Sequence, residues 1–205
     1  MPRMKIFNTL EQATFDTPPV FNSTERKQFF ALPLMLQDAM AGLRTPTNKV
    51  CFLAAVGYFK ARRKFFARNV NSADIDYIAR QLNLNITDVD VSSYTKFACI
   101  HHQRIILDYF GCRPFDATTM AFAKSEIAML APVQYQPKQI LIEIIQILSR
   151  EKIEVPSYNV LADLIITAIS QHKHTLSKII HHGLNEKQRN KLDALLEKEN
   201  DNTTT

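Results

Sequence analysis

The sequence predicts an all-α protein: one or more multi-helix bundles with helix-turn-helix-like elements and little or no strand. Only four glycines occur in 205 residues, whereas β-rich chains need more glycine for their turns. Apolar residues recur at three- and four-residue spacing, which is the spacing of one helix face. Residues that favour helix starts precede most of these runs. An apolar content of 46% is typical of a globular chain.

The first half of the chain is predicted to pack around one central helix. The apolar residues of segment 1–20 show no helical or strand periodicity. This segment is therefore predicted to be an arm that lies on the rest of the protein, or a disordered leader. Asn22 and Glu25 have capping-box spacing and begin a helix that ends before Pro33. Thr45-Pro46 begins the central helix. Its residues 50–59 are apolar on every side, so we expect other helices to surround it.

A helix-turn-helix pattern is predicted after this central helix. Ser72 is the expected cap of a helix that runs to a turn at 83–85, and a second short helix is expected near Thr87. Ser92 or Ser93 then precedes a long helix over 94–110. Its apolar residues are expected to face the core, and they are Phe97, Ile100, Ile105 and Tyr109. Its polar residues are expected on the opposite side, and they are Lys96, His101, Gln103 and Arg104.

Further helices fill the second half. Asp116 is the predicted cap of a helix that ends at Leu130, and residues 131–137 form the clearest linker. Helices are then expected over 137–152, over 157–174 and up to Gly183, with Asn185 and Gln188 beginning the last one. The chain is therefore expected to divide into helical domains at 21–115 and 116–200, with a frayed end at 201–205. The boundary is placed near 116 or at the 131–137 linker.

Unopposed positive charge is the main functional signal. Between Asp38 and Asp74 seven cations occur with no acidic residue, although the whole chain carries only +5. Five of the seven follow within nine residues at the end of the central helix: Lys60, Arg62, Arg63, Lys64 and Arg68. Such a cluster can be a solvated helix end whose cations face the negative pole of the helix dipole. The missing acids favour a phosphate-binding surface instead.

Other chemistry lacks a matching motif. The three cysteines have no metal-ligand spacing, and the histidine pairs point to different faces of a helix. Phosphate loops, nucleophile elbows and HExxH motifs are not found. We therefore expect no metal, no cofactor, no small-molecule substrate and no catalytic activity. No apolar run has the length of a membrane span, so no membrane partner is expected either.

Four segments, in order, resemble the N-terminal region of replicative transposases of the Tn-three family. They are LRTPTNKVCFLAAVGYFKARRKFF (43–66), DIDYIARQLNL (74–84), HHQRIILDYFGCRPF (101–115) and LNEKQRNKLDALL (184–196). Many members carry Tyr-Pro-Gly-Arg after the first helix. This chain has Ala61-Arg62-Arg63-Lys64 there, so an extended helix is the alternative to the family's turn.

The resemblance implies a helical DNA-recognition module for transposon terminal inverted repeats, without the D-D-E catalytic core that lies downstream in the family. Residues that match the family's two helices are Asn48, Lys49, Phe52 and Tyr58, then His102 or the adjacent His101, Arg104, Gly111, Arg113 and Phe115. It also implies double-stranded DNA as partner, a homodimer through downstream sequence, and a cytoplasmic, nucleoid-associated location in a bacterium.

The expected DNA contacts combine charge and resemblance. Cations of the central cluster are expected on phosphates, the residues at 47–49 can bind phosphate at a helix N-terminus, and the long helix supplies residues that can reach base edges. The full set is Arg44, Thr47, Asn48, Lys49, Lys60, Arg62, Arg63, Lys64, Arg68, Lys96, His102, Gln103, Arg104 and Arg113. The alternative function is a helical protein-interaction or dimerisation module with a basic surface.

Overall fold

The computed structural model describes residues 5–134, 136–188 and 190–191. Nine α-helices lie within these residues: α1 Thr9–Asp16, α2 Ser23–Phe29, α3 Gln37–Ala41, α4 Pro46–Arg62, α5 Ser72–Gln81, α6 Lys96–Phe110, α7 Ala117–Leu130, α8 Pro137–Arg150 and α9 Tyr158–Gly183. One-turn 3₁₀ helices occupy Leu34–Leu36, Ile86–Asp88 and Val91–Ser93. Over this part of the chain the only extended pairing is an isolated parallel bridge between Arg113 and Ile153. The all-α prediction is confirmed.

Several predicted caps are present. Asn22 and Glu25 form a reciprocal capping box, and the Thr45 hydroxyl accepts from the Asn48 amide at 3.2 Å. Asp116 caps α7. Side chains therefore replace the missing partners of the first helical amides.

Other helix starts differ by one or more residues from the prediction. Asn71, not Ser72, is the N-cap residue of α5, and its side chain makes no capping hydrogen bond. The cap of α6 is Thr95, whose hydroxyl accepts from the Ala98 amide at 3.1 Å. Ser92 and Ser93 lie in the preceding 3₁₀ turn. Beyond α9, a further helical stretch begins with the predicted pair Asn185 and Gln188, and the segments at 1–4 and 192–205 lie outside the described residues.

The second helix of the predicted helix-turn-helix does not form. After α5, residues 82–95 make two separate 3₁₀ turns before α6 begins. The side chains of Asn85 and Asp90 accept from the backbone amides of Thr87 and Ser92. These local bonds compete with helix propagation and hold single turns instead.

Helix α4 is the core of the first half, as its all-apolar pattern predicts. It packs against α2, α5 and α6, and Phe52, Leu53 and Phe59 are fully buried. The helix ends at Arg62, because Arg63 adopts the left-handed conformation with φ 53°. The alternative of an extended helix through residues 63 and 64 is therefore wrong, and a turn stands at the family position.

A second apolar cluster joins the beginning of the chain to its second half. Side chains of α7, α8 and α9 pack together, and Ile6, Phe7 and Phe15 pack onto them. The predicted arm thus contains a helix, α1, and α9 is continuous across the predicted break near residue 174. The division near residue 116 stays a prediction. The alternative boundary, the linker at 131–137, lies between α7 and α8, and both helices contribute side chains to this cluster.

Backbone hydrogen bonds connect the two clusters. The Arg113 amide donates to Lys152 O at 2.8 Å, and the Glu154 amide donates to Arg113 O at 3.0 Å. The Val155 amide donates to Arg63 O at 2.8 Å. The end of α4 is therefore an internal junction. Along the described part of the chain, no helix combines the length and hydropathy that crossing a bilayer requires.

Candidate nucleic-acid interface

Most of the cations at the end of α4 hold the protein together. The Lys60 ammonium donates to three carbonyl oxygens at 3.2–3.3 Å, those of Gln28, Phe29 and Ala31. These groups lie at the C-terminal end of α2, where carbonyls lack helical partners. Burial lowers the pKa of Lys60. Lys60 therefore fixes α2 to α4, contrary to its predicted role on a phosphate.

Arg63 and Lys64 lie at the junction between the clusters. The Arg63 guanidinium carbon lies 5.8 Å from the Phe59 ring centroid and 5.3 Å from that of Phe110. Lys64 is only 5% exposed, and its ammonium lies 2.5 Å from an Asp16 carboxylate oxygen. Desolvation lowers the pKa of Lys64 against the opposing effect of Asp16. A phosphate cannot reach Lys64 without opening this junction.

Glu154 adds a second carboxyl group to the same junction. It accepts from the Phe115 amide at 3.3 Å, and burial raises its pKa while the neighbouring Lys64 lowers it. The predicted cluster of cations at residues 60–68 is thus partly neutralised by acids from distant parts of the chain. Of its first four cations, only Arg62 is exposed.

Two further predicted contact residues are buried. The Thr47 hydroxyl accepts from the Asp90 amide at 3.0 Å, which ties the start of α4 to the turn before α6. His102 is 2% exposed, its Nδ1 lies 2.8 Å from the Tyr94 hydroxyl, and its ring packs edge-on against Phe52. Neither side chain can contact DNA in this structure. Of the two adjacent histidines, His101 is the exposed one.

The burial of His102 predicts a pH-dependent stability. Desolvation lowers its pKa from 6.5 to about 4, so the unfolded chain binds a proton at a higher pH than the folded chain does. Stability is therefore fully present above pH 6.5 and falls as the pH drops towards 4. We expect His102 to account for a loss of about 2 kcal/mol across this window. Urea unfolding at several pH values measures it.

The two adjacent histidines provide a matched pair for this measurement. His102→Gln should flatten the pH dependence, whereas His101→Gln should leave it nearly unchanged because His101 is exposed. An unchanged slope in His102→Gln would assign the pH dependence to other groups.

The other predicted contacts divide between the two ends of α4. Ring contacts Phe52–His102 and Phe59–Phe110 show that α4 and α6 lie side by side in the same direction. Exposed Arg44 and half-buried Asn48 and Lys49 lie near the N-terminal end of α4, and exposed Arg62 lies at the other, about 20 Å away at 1.5 Å per residue. The predicted single cationic surface is therefore split. Arg113 is exposed near the Arg62 end.

Helix α6 carries the most distinctive exposed surface. Its buried face consists of Cys99, His102, Ile106 and Leu107. The opposite face presents Lys96, Phe97, Ile100, His101 and Arg104. Phe97 is 90% exposed and Ile100 is 40% exposed. The prediction that these two apolar residues face the core is wrong, and they lie on the same side as the cations.

Arg68 lies beside the beginning of this surface. Its guanidinium donates to the Tyr94 carbonyl oxygen at 3.5 Å, and the Cys99 thiol donates to Ala67 O at 3.6 Å. The loop after α4 is thereby placed against the first turns of α6. We call Arg68, Lys96, Phe97, Ile100, His101 and Arg104 the α6 face. Predicted Gln103 lies at its border, half-buried, with its amide nitrogen 3.5 Å from the Cys99 sulfur.

Charge and exposed apolar area occur together on the α6 face. No Asp or Glu lies between Asp90 and Asp108, so the positive charges in the first three turns of α6 have no acidic residue near them in the sequence. Adjacent apolar side chains that are exposed to water and rimmed by polar residues commonly mark binding surfaces. Sequence reasoning missed Phe97 and Ile100, whereas His101 was predicted on the polar side of the helix. Cys99, His102 and Ile106 also recur at helical spacing, and this second apolar register was the signal that Phe97 and Ile100 face outward. Among the described residues, no group of three or more His, Cys, Asp or Glu side chains could hold a metal ion.

The fold and this face define a helical protein with a candidate polyanion-binding helix. The family described as "Domain of unknown function (DUF4158)" matches residues 6–168. The chain therefore belongs to this family. A comparison with curated proteins found no match.

Proposed function

We propose that this chain is a sequence-specific DNA-binding module of a transposase, which recognises terminal inverted repeats. The α6 face supports the proposal, because it combines exposed cations with side chains that can reach base edges. The resemblance of four ordered segments to the N-terminal region of Tn-three family transposases supports the choice of DNA. On this proposal the protein is not itself an enzyme and acts in the bacterial cytoplasm at the nucleoid.

The observation that carries the proposal is the exposed stripe along the first three turns of α6. Residues near the beginning of a recognition helix are those that contact base edges when such a helix lies in the major groove. Lys96 and Arg104 lie two turns apart with Ile100 between them. Arg68 extends the positive charge beyond the helix start. Arg44 and Lys49 are further cations at the corresponding end of α4.

Salt dependence of binding tests the electrostatic part of the proposal. If Arg68, Lys96, Arg104 and one or two cations at the end of α4 meet phosphates, the slope of log affinity against log salt should be about −4. The triple change Arg68→Ala, Lys96→Ala and Arg104→Ala should weaken binding about 100-fold and make the slope less negative by about 3. Gel retardation of a transposon-end duplex and a scrambled duplex, at several salt concentrations, measures both quantities.

A control of equal charge is available on the second half of the chain. Lys124, Arg150 and Lys173 are exposed on α7, α8 and α9, and their triple alanine variant should bind almost as the parent does. Equal weakening by both triple variants would indicate non-specific attraction of a polyanion.

A helical protein-interaction or dimerisation module is the second candidate. It is favoured by the second half of α9, where Leu176, Ile179 and Ile180 are 43–61% exposed. This function predicts no retardation of either duplex and a dimer whose population rises with protein concentration. Sedimentation of the same samples used for gel retardation therefore separates the two candidates.

A further inference from the structure

We propose that Phe97 and Ile100 read thymine methyl groups in the major groove, so that A·T pairs at fixed positions specify the target. This inference rests on the proposed DNA-binding function and adds the chemistry of base selection. Among the large apolar residues of the described chain, Phe97 has the greatest exposure, 90%. Ile100 lies one turn further along the same helix and is 40% exposed.

Packing within the protein does not account for these two side chains. Helix α6 already has a buried face, in which Ile106 is fully buried and Leu107 is 5% exposed. A polar residue at position 97 would leave that core intact. An apolar residue kept in water forfeits the free energy that its burial would provide, so an unburied pair on one face indicates a partner that covers it.

The surrounding charge indicates which partner this is. Lys96, His101 and Arg104 flank the apolar pair, and the same stretch of sequence contains no carboxylate. A partner must therefore supply negative charge around a small apolar target. Duplex DNA has this chemistry, because phosphates border a major groove in which the thymine C5 methyl is the apolar feature of the base edges.

The dimensions of the helix agree with this placement. An α-helix with its side chains is about 10–12 Å across, and the major groove is about 12 Å wide. With Phe97 and Ile100 facing the floor of the groove, Lys96 and Arg104 lie about one turn away on either side of Ile100. Phenylalanine and isoleucine side chains offer no hydrogen bond, so hydrogen-bonded base contacts fall to His101, while Lys96 and Arg104 meet phosphates.

Removal of single methyl groups from the DNA tests the inference. Duplexes are first enriched with the full chain from a random-sequence library, and each thymine in an enriched duplex is then replaced by uracil, which lacks only the methyl. One or two replacements should each weaken binding about fourfold, the factor expected for one buried methyl group. Phe97→Ala should weaken binding to the enriched duplex about tenfold and leave binding to a scrambled duplex unchanged.

The decisive comparison combines the two changes. If Phe97 contacts a thymine methyl, the sensitive thymine-to-uracil replacement should cost nothing further in Phe97→Ala. Val20→Ala is the matched control, because Val20 is 86% exposed and lies outside α6; it should preserve both affinity and methyl sensitivity. Phe97→Ala is expected to keep the parent melting temperature within about 2 °C, since exposed substitutions rarely change stability much.

Other outcomes overturn the inference in distinguishable ways. Specific binding that ignores every thymine-to-uracil replacement excludes methyl reading, and a DNA bend together with that insensitivity would indicate a side-chain wedge between base pairs. Equal loss on enriched and scrambled duplexes in Phe97→Ala also overturns it. Failure to enrich any duplex contradicts the proposed function itself.

Discussion

Replacing Asp74 with alanine is expected to lower the free energy of unfolding by about 3–5 kcal/mol. The Asp74 carboxylate is completely buried. It accepts from Arg26 Nε at 2.7 Å and from the Tyr58 hydroxyl at 2.7 Å. These donors come from α2 and α4, so one carboxylate on α5 joins three helices. Its removal leaves a partly buried guanidinium and a buried hydroxyl without their partner, and such groups are costly to leave unpaired.

Urea unfolding followed by circular dichroism measures this change. Asp76→Ala is the matched control, because Asp76 is an exposed carboxylate on the same helix and should alter stability by less than about 0.5 kcal/mol. The double variant Arg26→Leu with Asp74→Leu should be more stable than Asp74→Ala, since it removes the unpaired charge as well. Similar stability of Asp74→Ala and Asp76→Ala would show that the ion pair contributes little.

Gly57→Ala is expected to destabilise the protein by about 2 kcal/mol, although alanine is the better helix former. A Cβ atom at residue 57 would lie 2.4 Å from Phe30 Cδ1 and 3.2 Å from the Phe29 carbonyl oxygen. Phe30 is fully buried and cannot swing into solvent. The overpacking cost therefore exceeds the gain of about 1 kcal/mol in helix propensity.

Two further variants separate overpacking from other effects. Gly42→Ala should be close to neutral, because its nearest atoms would lie 3.6 Å from the new Cβ. Adding Phe30→Leu to Gly57→Ala should recover part of the lost stability by emptying the contested space. If Gly57→Ala melts like the parent in thermal unfolding, α2 and α4 do not pack as closely as the structure shows.

The helices could be predicted from the sequence where local chemistry decides them. Asn22, Thr45 and Asp116 cap helices in the structure as their positions predict. Local chemistry also explains the failures. A short helix was expected near Thr87, but the Asn85 and Asp90 side chains accept from nearby backbone amides, and single 3₁₀ turns form instead.

The candidate site could be predicted only in part. Lys96 and Arg104 were in the predicted set and are exposed. Two registers of apolar residues are present in α6, and contacts with α4 select the one that contains His102. The burial of Lys64 in an ion pair could not be predicted, because its partner Asp16 lies 48 residues away along the chain. Charge counting over a window cannot detect a counter-ion from so far along the chain.

The attachment of α1 to α9 has a consequence for the order of events during synthesis. Asp16 accepts from the Tyr158 amide across 142 residues, and the Phe7 amide donates to the Tyr158 hydroxyl. At about 5–20 residues per second, a ribosome makes Tyr158 roughly 7–28 s after it makes Asp16. The residues of α1 leave the exit tunnel well before Tyr158 does, so they reach their final place late, and a nascent-chain chaperone would find them accessible throughout that interval.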